Sequence, residues 1–423
     1  MLGPHFTSLP PLSLYIHIPW CVRKCPYCDF NSHERPDGSL GVPEREYIDA
    51  LMSDLEVQLP EFWGRTIHTV FIGGGTPSLF SAQAIADLLA GVRARTRLSP
   101  EAEITLEANP GTFEMEKFAG FREAGITRLS IGIQSFNDAH LQALGRIHNS
   151  AEARRAIEIG LTTIGNVNLD LMFALPASRT GGEAQTMAEC EADVRAALAF
   201  GTPHLSFYQL TLEPNTVFAK KPPPLPDHDL AADMQLRVEQ LLGEAGYEHY
   251  ETSAYARPGR RCQHNLNYWG FGDYVAIGAG AHGKLTTPGG PPGSGQQAKI
   301  VRTERVKQPR DYMQKALSAD PASCVFERRE ITRGDVGFEF MLNALRLTDG
   351  FPVAWFAERT GYPVSLVSRA LDEAEREGLL VRTHEVVRPT ERGQRFLNRM
   401  LEKFMQGEEV TSHTITSIPV NWK

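Results

Sequence analysis

The sequence predicts an α/β fold, a parallel sheet wrapped by helices, followed by a smaller α+β unit. Three observations carry this. Apolar strand-like runs alternate with amphipathic helical stretches six times between residues 13 and 245, and βα units in series build a parallel sheet with its helices outside. The turns leaving these strands are short, which places chemistry at the carboxyl ends of the strands, as in barrel enzymes. From about residue 332 the order becomes helix, helix, helix, two short strands and a last helix, which is that of a winged helix.

The six strands are expected at 14–18, 69–72, 104–107, 128–133, 167–173 and 204–210. Helices are expected at 44–58, 82–95, 114–124, 151–159, 183–200 and 228–245. Residues 247–256 read as strand, and 262–283 are rich in aromatics and glycine. The stretch 286–297 is dense in Pro, Gly and Gln and reads as an exposed loop or linker. The wing strands fall at 379–382 and 385–389. The chain therefore divides into a barrel at 1–245, a barrel-closing and linker region at 246–331, the winged-helix-like unit at 332–405, and a polar tail at 406–423.

Length and composition bound the function. A chain of 423 residues with 42% hydrophobic and 22% charged residues buries a large core. A net charge of −8 argues against broad binding to nucleic acid. No apolar run approaches membrane-spanning length, and the opening residues lack a basic stretch followed by an apolar one. The cytoplasm is the expected location.

Cys21, Cys25 and Cys28 form a CxxxCxxC run just after the first strand. Thiolates are soft, charged donors suited to iron–sulfur clusters. Three on one loop hold three corners of a [4Fe-4S] cluster and leave one iron open. The amino and carboxylate groups of S-adenosylmethionine (SAM) suit that iron, and an electron from the cluster would cleave the sulfonium to give a 5'-deoxyadenosyl radical. Zinc would need a fourth ligand, for which His33 or His17 stands near in sequence. A disulfide fits poorly with an odd local count in a chain of non-secreted composition. Cys190, Cys262 and Cys324 are scattered and read as structural.

Gly73-Gly74-Gly75-Thr76-Pro77 follows the second strand, where glycines let backbone approach a ligand. The motif lacks the Gly-Lys-Ser/Thr ending of a phosphate loop, and a tight strand-to-helix turn would explain it as well. Glu107, Gln134 and Asp170 each lie within or at the end of an apolar strand, where an unpartnered polar group is costly. Carboxylates suit an ammonium or ribose hydroxyls, and Arg146 suits a carboxylate. For each the alternative is a cap or an internal salt bridge.

With these residues in hand, the chain resembles the radical SAM superfamily, and within it the group of oxygen-independent coproporphyrinogen III oxidases and HemW-type heme chaperones. The resemblance runs from LYIHIPWCVRKCPYCDF through FIGGGTPSL, EITLEANP, RLSIGIQSF, LGRIH and NLDLMFALP to the winged-helix end. It implies a three-quarter (β/α)6 barrel, TIM-like but incomplete. It implies that Cys21, Cys25 and Cys28 ligate the cluster, with Tyr15 and Tyr27 flanking cluster and SAM. Gly74, Gly75, Thr76, Glu107 and Arg146 would contact the methionyl part of SAM. Gln134 and Asp170 would hold the ribose, and Thr211 would lie near the adenosine.

Two departures separate the chain from the oxidases of that group. The oxidases carry a further cysteine two residues after the third, where this chain has Phe30, and they carry a longer N-terminal arm. By contrast His264-Asn265-Leu266-Asn267-Tyr268-Trp269 matches the HNxxYW signature of the heme chaperones. An imidazole can ligate heme iron, and Tyr268 and Trp269 offer flat faces to the macrocycle. Alternatively, His264 and Asn265 bond the backbone of a loop while the aromatics pack in the core. Cys262, His282 and His17 are other candidate iron ligands.

The leading expectation is a heme chaperone that binds a [4Fe-4S] cluster, SAM and heme and delivers heme to an acceptor hemoprotein, such as a respiratory one. Membrane contact would come through the acceptor. The runner-up is an oxygen-independent coproporphyrinogen III oxidase. DNA binding is disfavoured, because residues 331–404 hold eleven Lys/Arg and eleven Asp/Glu. The expected recognition helix, 364–377, carries four acids that phosphate would repel. That domain is expected to pack over the barrel mouth or meet a protein partner.

Overall fold

A computed structural model describes residues 3–35, 41–111, 115–177, 182–290 and 297–405. Six parallel strands run in chain order: β1 (Leu12–Ile18), β2 (Thr66–Gly74), β3 (Arg97–Ala108), β4 (Arg128–Gln134), β5 (Val167–Phe173) and β6 (His204–Gln209). All six expected strands are present. The main difference is β3, which starts at Arg97 because it keeps pairing with Thr66 and Ile67 beyond its apolar stretch.

The helices α1 (Glu44–Phe62), α2 (Ala82–Arg95), α3 (Phe118–Ala124), α4 (Ser150–Thr163), α5 (Met187–Ala199) and α6 (His228–Glu244) follow the strands. α5 starts four residues later than expected, because Thr186 caps it and forms a capping box with Glu189. α3 is also shorter than expected, and residues 112–114 lie outside the described set.

The sheet does not end with the sixth unit. A hairpin of β7 (Glu248–Glu251) and β8 (Ala254–Ala256) adds antiparallel to β6. At the other edge β9 (Asp273–Ile277) pairs parallel to β1, making a seventh parallel strand. The antiparallel strands β10 (His282–Thr287), β11 (Lys299–Arg305) and β12 (Val325–Glu330) follow it, giving twelve strands in one sheet. Of the stretch expected as an exposed loop at 286–297, Thr286 and Thr287 instead pair in β10, Thr286 fully buried, and residues 291–296 lie outside the described set.

Strand alternation sorts the side chains. Leu12, Leu14, Ile16 and Ile18 of β1 face the main core under the helices, as do Leu129, Ile131 and Ile133 of β4 and Val167, Leu169 and Leu171 of β5. The alternate positions point inside the barrel and are mostly polar: Ser13, Tyr15 and His17; Glu103, Thr105 and Glu107; Arg128 and Ser130; Asn168 and Asp170; His204 and Ser206. Nearly all of these are buried, so one strand carries a greasy outer face and a polar inner one.

The C-terminal unit holds α8 (Val336–Ala344), α9 (Val353–Thr360) and α10 (Ser368–Arg376). Strands β13 (Phe351–Pro352), β14 (Leu380–Arg382) and β15 (Val386–Pro389) form a small sheet. The first half of the expected recognition helix is a 3₁₀ turn, Val364–Val367. The expected last helix breaks at Phe396 into two short pieces, and the tail from residue 406 lies outside the described set.

This unit does not sit over the barrel mouth. It packs beneath the opposite end, where Phe271 meets Phe340 with ring centroids 5.6 Å apart and Arg346 lies 5.2 Å over the Trp269 ring. Glu339 of α8 also pairs with Arg302 at 2.6 Å and Arg329 at 2.9 Å. The reason is chemical: the aromatic segment after residue 262 leaves its apolar side outside the barrel floor, and the core of the C-terminal unit covers it.

Candidate functional site

The cysteine loop leaves the carboxyl end of β1. Trp20 and Cys21 pair in parallel with His33 and Glu34, and the Lys24 ammonium donates to the carbonyls of Phe30 and Ser32 at 3.1 Å each. The Asn31 amide donates to Ala279 and Lys307, both at 2.9 Å. The loop's shape is thus held mainly by backbone and Lys24 and Asn31 rather than by its thiols.

The glycine turn docks this loop. Gly75 N–H donates to Ile18 and Thr76 N–H to Trp20, both at 2.8 Å. Gly74 has φ +115°, and a Cβ there would lie 2.6 Å from the His17 ring. A Cβ on Gly75 would lie 2.6 Å from the Trp20 carbonyl oxygen. These two glycines are therefore required by packing against the cysteine loop, whatever else they touch.

The three thiols are half-buried and unpaired. Burial pushes the Cys21 thiol up to about 11, against a hydrogen bond with Thr76, and raises Cys28 as well, against one with Ser32. Arg146 Nη1 donates to Cys25 Sγ at 3.7 Å, while Nη2 donates to Asn109 Oδ1 at 2.6 Å and to the Gly132 carbonyl at 2.9 Å. Tyr27 adjoins Arg146 and Cys25, and burial raises its phenol. Among the described residues, no three His, Cys, Asp or Glu side chains converge as a single metal ion requires. His17 engages Tyr15 OH and the Asn31 carbonyl, and His33 engages Asn31 Oδ1. The expected zinc partners are therefore occupied. Three thiols on one anchored loop beside a cation fit the corners of a cluster, each binding its own iron.

Glu107 Oε2 accepts from Gly74 N–H at 3.0 Å. Gln134, at φ +68°, closes β4 with its side chain near Arg146 and Asn109, all around Gly132. The structure thus gathers the cysteines, Thr76, Glu107, Gln134 and Arg146 at the carboxyl ends of the strands. Asn109, which joins Thr76 Oγ1 at 2.9 Å to Arg146, is a member the sequence reading missed. Thr211 stands apart, exposed, its hydroxyl donating to Glu213 at 2.6 Å.

Asp170 lies deeper. It accepts from Ser130 at 2.7 Å, Asn168 at 3.1 Å and Tyr208 at 3.4 Å. It lines a small cavity of about 60 Å3 whose walls also hold Phe71, Arg128, Ser206, Glu251, His264, Tyr268 and Trp269.

The HNLNYW segment is a helix, α7 (Gln263–Trp269), and it forms the floor of that cavity. It is fixed to three consecutive strands near their amino-terminal halves. Asn267 donates to Ser13 Oγ at 2.8 Å, His264 Nδ1 lies 2.9 Å from Thr69 Oγ1, and Glu103 Oε1 accepts from the amides of Gln263 and His264. Thr69 spends its own hydrogen on Ser13 Oγ at 2.7 Å, so His264 donates through Nδ1 and keeps its lone pair on Nε2. Burial, with Arg128 nearby, pushes His264 down to about 3 and holds it neutral. Tyr15 and Phe71 continue the aromatic wall, with Tyr15 stacked 6.3 Å from Phe71 and Phe71 5.1 Å from His264. Cys262 is fully buried beneath the floor against Glu103, and His282 faces Glu304 outside it.

Glu251 gives the site a pH signature. Burial raises its carboxyl to about 7, against the Ser253 amide, Arg346 and Trp269. The folded protein then holds a proton that the unfolded chain, at 4.5, releases earlier. The resulting stability is full below pH about 4.5 and is lost as pH rises through about 7. Glu251→Gln is expected to remove this slope and to gain on the order of 2–4 kcal/mol over the parent above pH about 8, read by denaturant melts. Asp193, raised to about 6 by burial, is common to both proteins and cancels. Equal pH slopes would reject the assignment.

Comparison with known proteins agrees with this geometry. The radical SAM superfamily profile matches residues 15–176, and the HemN C-terminal domain profile matches 331–396. The heme chaperone HemW of Haemophilus influenzae is 47% identical over 406 residues, 95% of this chain and 100% of that protein. The heme chaperone HemW of Escherichia coli is 47% identical over 400 residues, 94% and 99%. The solved coproporphyrinogen III oxidase of Escherichia coli, described as a radical SAM enzyme, shares the fold with TM-score 0.75 at 20% identity, over 94% of this chain and 91% of that one. Among the described residues no helix is long and apolar enough to cross a membrane. Membership of the superfamily implies a [4Fe-4S] cluster and SAM, and the chain belongs to the HemW heme-chaperone family of the radical SAM superfamily.

Proposed function

We propose that this protein is a cytoplasmic heme chaperone that carries a [4Fe-4S] cluster on Cys21, Cys25 and Cys28, binds SAM beside it, and delivers heme to acceptor hemoproteins such as respiratory enzymes. The observation that carries the proposal is 47% identity over nearly the full length of two heme chaperones. When bound, the cluster supplies an open iron for the amino and carboxylate groups of SAM and an electron for its sulfonium. Tyr15, Tyr27, Gly74, Gly75, Thr76, Glu107 and Arg146 surround the SAM methionyl part, while Gln134, Asp170 and Thr211 serve its adenosine. In this reading the cluster and SAM gate heme transfer.

His264, Tyr268 and Trp269 are assigned to heme. A neutral imidazole whose Nδ1 proton is fixed by Thr69 presents Nε2 as an iron ligand, and the hydrogen bond raises its basicity. The test is an anaerobic hemin titration of the cluster-reconstituted protein, followed by the Soret band, with His264→Ala in parallel. Saturable binding near one heme per chain, with an altered band in the variant, is expected. Absence of binding would overturn the chaperone reading and favour the oxidase, to be assayed with coproporphyrinogen III, SAM and an electron donor.

A further inference from the structure

Barrel interiors are ordinarily filled with layers of branched apolar side chains. Here the cavity wall, beside its aromatic members, holds Ser130, Asn168, Asp170, Ser206, Glu251 and Arg128, each under 6% exposed. Such a lining is costly unless its groups are paired with one another or with a ligand. Most are paired. Asn168 donates to Ser130 Oγ at 2.8 Å and accepts from Ser206 at 3.1 Å, while Asp170 is bonded as above. Glu103 turns Oε1 to the floor helix, and Glu251 is bonded to Ser253 N–H at 3.3 Å.

Arg128 is the exception. It is 2% exposed, its Nε has no partner, and its guanidinium makes no hydrogen bond or ion pair with any described residue. Cys262, Glu103, Tyr250 and Asp170 act on it only through space. Against the desolvation of burial, those groups compensate its charge and raise its pKa, but a buried arginine serving structure alone would also have its N–H groups bonded, because buried donors left unsatisfied are costly. The fork geometry of the guanidinium is matched by a carboxylate bound through two parallel hydrogen bonds.

We infer that Arg128 is the anchor for a carboxylate carried by a ligand that enters the barrel cavity and, on the heme reading above, for a porphyrin propionate. His264 lines the same cavity, so iron ligand and carboxylate anchor address one ligand. The identification of the ligand rests on the proposed function; the anchoring role of Arg128 does not.

The test uses full-length, cluster-reconstituted protein and the variants Arg128→Met and Arg128→Lys. Without ligand, Arg128→Met should melt no lower than the parent, since no bond is lost; a fall of several degrees would make Arg128 structural and overturn the inference. In Soret titrations the parent should prefer hemin to hemin dimethyl ester, whose propionates are blocked, by about 10- to 100-fold. Arg128→Met should lose that preference and Arg128→Lys should keep part of it. Equal binding of acid and ester by the parent, or a preference surviving in Arg128→Met, would overturn the propionate. So would loss of SAM affinity in Arg128→Met with hemin binding intact, which would assign the carboxylate to SAM. If the parent binds neither porphyrin, the heme reading fails by itself, and sodium propionate then decides. Thermal stabilisation of the parent but not of Arg128→Met upholds the anchor, and no stabilisation of either overturns it.

Discussion

Replacing Cys25 with alanine is expected to abolish the brown absorption and the bound iron of anaerobically reconstituted protein while leaving the fold in place. A cuboidal cluster held by three thiolates has no spare ligand, so losing one corner removes the cluster rather than weakening it. The fold survives because Cys25 holds the loop through its carbonyl, which accepts from Cys28 N–H at 3.1 Å, and that bond needs no thiol. Lys24, Asn31 and the glycine turn keep the remaining anchors. Cys190→Ala, at a buried thiol in α5, is the matched control and should keep full iron content. A normal cluster spectrum in Cys25→Ala would remove the central assignment.

The largest effect on stability is expected at Asp54→Ala, about 3–5 kcal/mol, because it strands a buried charge. Asp54 of α1 and Arg305 of β11 are both fully buried and joined at 3.0 and 3.1 Å. Tyr312 OH adds a bond to Asp54 at 2.8 Å. The pair pins the first helix to a strand 251 residues away, across the edge added beyond the sixth unit. Among the described residues both terminal guanidinium nitrogens of Arg305 lack partners, so the pair is imperfectly satisfied. Replacing both residues, as Asp54→Leu with Arg305→Met, should therefore recover most of the loss. Denaturant melts of the two variants measure this. A single-variant cost below about 1 kcal/mol, the range of exposed pairs, would contradict the burial argument.

The roles of Arg128 and Asp54 are not encoded locally. Arg128, Ser130 and Gln134 recur every second residue in RLSIGIQ, as Asn168 and Asp170 do in VNLDLMF. That alternation encodes the polar inner face, but it is masked by the apolar residues between, so only Glu107, Gln134 and Asp170 stand out in the chain. Asp54 reads as one more acid on an amphipathic helix. Nothing near it in the chain signals that its partner is Arg305, since a pair that distant is defined only by packing.

The expected placement of the C-terminal unit failed for a related reason. The order of its helices and strands follows from local periodicity. The face it covers depends on where Trp269 and Phe271 emerge, which in turn depends on α7 bonding to Ser13, Thr69 and Glu103. Those three residues come together only when β1, β2 and β3 are in register.

The six βα units, the cysteine loop with its spacing and the glycine turn that receives it are legible in the chain alone, because each is encoded by neighbouring residues acting over one strand, one helix or one turn. That a seventh parallel strand flanks β1, that HNLNYW closes the floor of the barrel, and that Arg128 has no hydrogen-bond partner among the described residues are set by the assembled sheet. Those features arise from contacts between segments up to some 250 residues apart, whose free energies appear only once the sheet has brought the segments together.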